Sequence, residues 1–252
     1  MIPKIIHYCW FGGNQLPPLA EKCIASWKKF CPDYEIKEWN ELNYNVHKIP
    51  YISQAYEAKK YAFVSDYARF DILYEYGGIY FDTDVEVIKP IDELIEKGPF
   101  AGIERPWSLN AGLGFASRQR EAVLKEILES YKKSDFIKSD GSLDLTTVVT
   151  RVSDIFRNYG FTNENKIQTI AGITIYPTDY FCPKNYGTGK ITVTDNTYTI
   201  HHYDGSWCSK HTHRLTREKE WILKNIGNPY LAWFLRKLCI AKFRFLEFIH
   251  TK

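Results

Sequence analysis

Across its 252 residues the chain has no run of 18 uninterrupted apolar positions, which leaves no candidate for a helix that spans a membrane. It has no internal repeat and no low-complexity segment. The six cysteines (Cys9, Cys23, Cys31, Cys182, Cys208 and Cys239) form no CxxC pair, so the spacing expected of structural zinc or dithiol redox chemistry is missing. They read as reduced thiols, the usage of a cytoplasmic protein. Residues 1–6 enter a strand-like run directly, without the organisation of a secretory leader. Excess charge of either sign is small, at +3 overall.

What is present fits one large globular domain with a substantial core. Aromatic residues reach 16%, including 18 Tyr and 7 Trp. The small net charge conceals an asymmetry: residues 208–252 carry ten Lys and Arg against three Asp and Glu, or +7, leaving −4 for residues 1–207. A basic, aromatic-rich tail on a slightly acidic body points to an anionic partner or, more plainly, to a solvated helix face. Amphipathic spacing with basic residues over 228–246 is compatible with an acidic membrane surface or with docking on the body.

Residues 3–11 read as a buried strand, 19–30 as a helix ended by Cys31-Pro32-Asp33, and 34–39 as an alternating, half-buried strand. The spacing predicts one long helix over 56–76, stopped by Gly77-Gly78, and a strand over 79–81. Further strands are expected at 100–103, 112–116, 173–176 and 198–202, with helices at 120–132 and 145–159. Strands alternating with helices predict an α/β sandwich around a mostly parallel sheet.

The segment Tyr80-Phe81-Asp82-Thr83-Asp84-Val85 carries the most chemistry. Read as extended backbone, it puts Asp82 and Asp84 on one face, where hard oxygen ligands suit Mg²⁺ or Mn²⁺ bridging to substrate phosphates. Any strand end can carry two acids, so the neighbours decide. Asp66 and Arg69 are three apart on the preceding helix, the spacing of an ion pair on one face, and apolar residues crowd around them. A phosphohydrolase reading of the acidic pair wants Thr or Val where Glu86 stands, and a calcium-binding loop wants Gly where Val87 stands.

The runs Ser65-Asp66-Tyr67-Ala68-Arg69 and Leu73-Tyr74-Glu75-Tyr76-Gly77-Gly78-Ile79-Tyr80-Phe81-Asp82-Thr83-Asp84 resemble glycosyltransferase family 32, the DXD family of capsular polysaccharide transferases and yeast-type mannosyltransferases. More distantly they resemble the glucosyltransferase domains of clostridial toxins. Residues 2–10, 176–183 and 200–207 agree in the expected order. The resemblance implies a GT-A fold over residues 1–207, with 208–252 as a helical extension. It also implies a nucleotide-sugar donor, UDP- or GDP-linked, and a divalent metal, Mn²⁺ or Mg²⁺. The implied acceptor is a glycan or a lipid-linked oligosaccharide, and the implied chemistry is hexosyl transfer with retention in cell-surface polysaccharide assembly. The place implied is the cytoplasm, or the inner face of a bacterial plasma membrane.

By the same resemblance Asp84 is a direct metal ligand, and Asp82 contacts ribose, donor sugar and metal-bound water. Asp66 holds the transferred sugar, Arg69 the phosphates, and Ser65 and Tyr80 belong to the donor-binding set. Trp10, before Phe11-Gly12-Gly13, is expected to stack a nucleobase, its plainer reading being a core tryptophan. His201 is the expected imidazole ligand and His202 the alternative, because successive strand residues face opposite ways. Ser206 and Trp207 are expected to close over the diphosphate. Asn110 is a substrate-contact candidate, or simply a turn-forming Asn. A non-catalytic sugar-nucleotide or glycan-binding module would keep Trp10 but could dispense with the acids; Asp82, Asp84 and His201 together favour an enzyme.

Overall fold

A computed structural model describes residues 1–205 and the isolated positions 218, 222, 225, 226, 231, 234, 235, 237 and 238. The chain divides into two units, Met1–Pro183 with Thr192–His202, and Lys184–Ile191 with Tyr203–Lys252. All regular elements described below lie in the first. Of the second, the described part is a short antiparallel bridge between Lys184 and Ile191, with Tyr186 packed edge-on to Tyr203. Ser206, Trp207 and most of the basic tail lie outside the described residues.

The elements in chain order are β1 (Ile5–Cys9), α1 (Pro18–Phe30), β2 (Glu35–Trp39), α2 (Pro50–Glu57), α3 (Tyr61–Tyr76), β3 (Gly78–Tyr80), β4 (Val85–Val87), α4 (Asp92–Lys97), β5 (Phe100–Glu104), β6 (Ser108–Asn110), β7 (Phe115–Ser117), α5 (Ala122–Lys132), α6 (Val148–Asn158), β8 (Gln168–Ile170), β9 (Ile173–Tyr176), α7 (Thr178–Phe181) and β10 (Thr199–His201). The main sheet is 8-stranded in the order β2-β1-β3-β7-β5-β9-β8, with β6 hairpinned onto β5. Strands β2, β1, β3, β5 and β9 run one way; β7, β6 and β8 run the other. The fold is thus α/β around a mostly parallel sheet, interrupted by one antiparallel strand in its middle. A separate ribbon pairs β4 with β10.

Helix α1 begins with Pro18 in its first turn, where the missing N–H costs nothing, and buries Ala20, Cys23, Ile24 and Trp27 on one stripe. Trp27 Nε1 donates to the Val85 carbonyl at 2.7 Å and so ties α1 to β4. Helix α3 is buried nearly all round, Asp66, Arg69 and Asp71 included, so it is a core helix whose charged residues must find partners inside. The long helix expected over 56–76 is in fact two. Lys59 takes φ 56°, and the Lys60 N–H reaches back to the Ala55 carbonyl at 2.8 Å, turning the chain between α2 and α3 without glycine or proline.

At the far end of α3 the Gly77 N–H bonds the Leu73 carbonyl with φ 64°. Gly78 follows at φ 98°, where a Cβ would lie 2.7 Å from the Ile5 carbonyl and 3.0 Å from His7 Nε2. Only glycine lets β3 start this close to β1. The four described cysteines, Cys9, Cys23, Cys31 and Cys182, are all buried.

Candidate active site

The acidic motif is a turn. Strand β3 stops at Tyr80, Asp82 N–H bonds the Gly112 carbonyl at 2.9 Å, and Val85 N–H closes on the Asp82 carbonyl at 3.1 Å before β4 begins. The extended backbone expected for Asp82 and Asp84 is therefore not formed. Its ends belong to different sheets, β3 to the main sheet and β4 to the ribbon with β10, and the two side chains serve different partners.

Asp82 faces α3. Arg69 Nη1 lies 3.2 Å from its Oδ1, while Arg69 Nη2 donates to Asp66 Oδ1 at 2.7 Å. The guanidinium, with its side chain 4% exposed, is thus forked between two carboxylates and stacked 4.7 Å over the Tyr80 ring. Burial works against that charge, but the surrounding acids, Asp82 first, hold the Arg69 pKa above its ordinary value. Asp66 is the deeper acid. Burial raises its pKa to about 6, against the opposing pull of Arg69 and an N–H from Val148 at the start of α6. Breaking such a buried pair by removing one member costs about 3–5 kcal/mol. Ser65 turns away: its hydroxyl donates to the Tyr61 carbonyl at 3.1 Å, and its own carbonyl accepts from Arg69 Nε at 3.2 Å.

Asp84 faces β10. His201 Nε2 is 3.4 Å from Asp84 Oδ2, with side-chain exposures of 10% and 15%. Burial alone would depress the imidazole pKa; Asp84, with Cys182 beside it, more than offsets this and holds it well above 6.5. The neighbouring His202 points elsewhere, with Nε2 2.7 Å from Glu86 Oε2, and Glu86 is also paired with Lys22 at 2.8 Å. The register of β10 against β4 sets Ile200 opposite Glu86 and His201 opposite Val85, and alternation along the strand separates the two imidazoles.

Two ligands about 2.1 Å from one octahedral ion and at right angles stand about 3 Å apart. The Asp84–His201 pair meets that spacing, and carboxylate with imidazole is a donor set that Mn²⁺ accepts. Among the described residues no group of three His, Cys, Asp or Glu side chains is close enough to hold an ion; Asp82 sits on Arg69 instead. A cation here would take two protein ligands and fill its sphere with water and phosphate oxygens, the usual habit of Mg²⁺-type ions.

Asn110 is buried at the end of β6. Its Oδ1 accepts from Gly112 N–H at 2.7 Å and its Nδ2 donates to Glu104 at 2.9 Å. A Cβ on Gly112 would overlap Asp82 Oδ2, so Asn110, Gly112 and Asp82 are locked in sequence. Trp10 follows β1 half-buried, with Nε1 donating to the Asn14 carbonyl at 2.7 Å. It is only partly buried and lies outside the buried core.

Glu104 is the residue that pattern reading misses. It ends β5, half-buried, and its carboxyl feels the charges of His201, Asp82 and Asp84. The only trace in the sequence is one acid closing the apolar strand Phe100-Ala101-Gly102-Ile103.

Residues 17–101 match the family described as a glycosyltransferase sugar-binding region containing a DXD motif. Over this region the chain is similar to the DXD glycosyltransferases. It is 33% identical over 124 residues to inositol phosphoceramide mannosyltransferase 3 of Schizosaccharomyces pombe, covering 46% of this chain and 33% of that protein. The chain thus spans about a third of that relative's length. A 26% identity extends over 225 residues, 82% of this chain and 84% of the other, to the uncharacterized glycosyltransferase L373 of Acanthamoeba polyphaga mimivirus. Among solved structures, the PaToxG glycosyltransferase aligns at TM-score 0.48 and 16% identity, over 62% of this chain and 68% of that one.

Proposed function

We propose that this DXD-family chain is a metal-dependent hexosyltransferase. It takes a hexose from a UDP- or GDP-linked donor and passes it, with retention, to a glycan or lipid-linked acceptor in cell-surface polysaccharide assembly. The observation that carries the reading is the pairing of Asp84 with His201 at 3.4 Å, brought together from distant parts of the chain, beside an Asp82–Arg69–Asp66 chain of charges. Asp84 and His201 would hold a Mn²⁺ or Mg²⁺ ion, whose positive charge would favour departure of a nucleoside diphosphate.

The chain's own groups do the rest. Asp82, the most exposed of the three acids at 31%, presents carboxylate oxygens to ribose and donor-sugar hydroxyls. Arg69 keeps its cation at the same place, held there by Asp66, which acts from behind through the guanidinium. Trp10 offers an aromatic face to the nucleobase, and Tyr80 stacks against the Arg69 guanidinium.

The test is hydrolysis of UDP-glucose, UDP-galactose, their N-acetyl forms and GDP-mannose with Mn²⁺, run beside Asp84→Ala and His201→Ala. Slow turnover of one donor is expected, with losses of about 100-fold or more in Asp84→Ala, the usual worth of such charge stabilisation. Undiminished turnover in Asp84→Ala refutes the assignment.

A further inference from the structure

The Glu104 carboxylate has no part in the scheme above, yet it is built into the same place. Register pairs Gly102 with Asn110 and Glu104 with Ser108 across the β5–β6 hairpin, so Glu104 and Asn110 are diagonal neighbours on one face. The Asn110 amide has only one useful orientation. Its Oδ1 must accept the Gly112 N–H at 2.7 Å, which turns Nδ2 toward Glu104 Oε2 at 2.9 Å. From Gly112 the linkage continues to Asp82, whose N–H bonds the Gly112 carbonyl at 2.9 Å. Glu104 is therefore held in fixed relation to the acidic turn by two hydrogen-bonded residues.

Its second oxygen is left over. Among the described residues no hydrogen bond reaches Glu104 Oε1, although the side chain is half-buried. Nearby charge gives it little: Arg69 is forked between Asp66 and Asp82, and His201 is paired with Asp84. That oxygen keeps contact with solvent, so in the free chain water answers it and a ligand hydroxyl can take the water's place. A cluster that already contains Asp82 and Asp84 gives no reason to add a third acid for charge alone. What such an oxygen accepts best, in a site that handles sugars, is a hydroxyl.

Resting on the donor reading above, we infer that Glu104 is a sugar-contact residue: its free oxygen accepts a hydrogen bond from a hydroxyl of the hexose carried by the donor, while Asn110 holds its other oxygen. A site built to satisfy a substrate hydroxyl leaves a buried group unpaired when the hydroxyl is absent. Glu104 thus discriminates among sugars and is indifferent to the nucleotide. Asn110 acts as a positioning residue through Glu104 and Gly112.

Calorimetric titration with Mn²⁺ present separates the two parts of the ligand. UDP, UDP-glucose, UDP-galactose, GDP and GDP-mannose are titrated into wild type, Glu104→Gln and Glu104→Ala, each first checked for an unchanged thermal transition. For the best-bound donor, Glu104→Ala is expected to lose about 10-fold or more of the affinity that the sugar adds over the bare nucleoside diphosphate. Affinity for the bare diphosphate stays within about twofold. Glu104→Gln, which keeps an acceptor oxygen, falls between. If both variants lose diphosphate and donor affinity equally, or lose their fold, the role is structural and the inference is overturned. If wild type binds donor and Glu104→Ala retains the full sugar increment, this assignment falls alone and the donor reading stands. A wild-type chain that binds none of the five ligands overturns both.

Discussion

His7 offers a quantitative test of the scaffold beneath the acidic turn. Its ring is fully buried on β1. Nδ1 accepts from Trp39 Nε1 at 3.1 Å and Nε2 bonds the Gly77 carbonyl at 2.9 Å, which is the neutral form with the proton on Nε2. A second proton would have to displace the tryptophan N–H. Burial pushes the His7 pKa down from 6.5 to about 4; the Gly77 carbonyl opposes this and Lys37 adds to it. Between those values the unfolded chain binds a proton that the folded chain refuses. The stability that His7 contributes is therefore complete above about pH 6.5 and is lost as pH falls toward about 4. At pH 4.5 the loss relative to neutrality comes to about 2.5 kcal/mol.

Asp66 acts with the opposite sign. Its pKa is raised from 3.8 to about 6, so its contribution is complete below the unfolded value and is lost as pH rises through about 6. A wild-type profile alone mixes the two, and a difference isolates His7. Urea unfolding of wild type and His7→Gln at pH 7.5 and 4.5 should show the stability gap between them shrinking by about 2.5 kcal/mol on acidification. A gap that does not change with pH refutes the protonation argument, whatever its size.

Gly112→Ala places a methyl on Asp82 Oδ2 and forces the acid away from Arg69. Donor hydrolysis should fall about 10-fold or more while stability drops by only about 1 kcal/mol, because the Asp82–Arg69 contact is partly solvated; activity within twofold of wild type refutes the lock. For the tail, among the described residues no helix is long and apolar enough to cross a membrane, and we propose that the basic segment 208–252 associates peripherally with acidic lipid. Flotation with anionic vesicles should carry the full chain and leave a form truncated after residue 207 in solution; equal behaviour of the two refutes it.

Much of the frame was legible because it rests on local rules. Apolar spacing marked α1 and α3, and Gly77-Gly78 marked the stop before β3. Elements created by distant pairing were not legible. Strand β4 exists because Thr199 to His201 pair with it, and β6 because it folds back on β5. The break between α2 and α3 was hidden because Lys59, not glycine, takes the positive φ. The alternation rule fits His201 and His202, whose rings take different partners, yet the same rule misplaced Asp82 and Asp84. It presumes an extended strand, and the chain turns at Thr83. Glu104 escaped because its neighbours at the acidic turn are distant in sequence.

The turn between Asp82 and Asp84 has a consequence for anyone dividing this chain. Its first acid is answered by a helix that precedes it, its second by a ribbon formed only after another hundred or so residues have been made, at the roughly 5–20 residues per second of synthesis. A fragment cut to residues 17–101 would carry the whole matched region but not the partner that Asp84 has in His201. During synthesis, likewise, the arginine side would be assembled seconds before the imidazole arrives, so a nascent chain stalled before residue 199 holds the signature without its second partner.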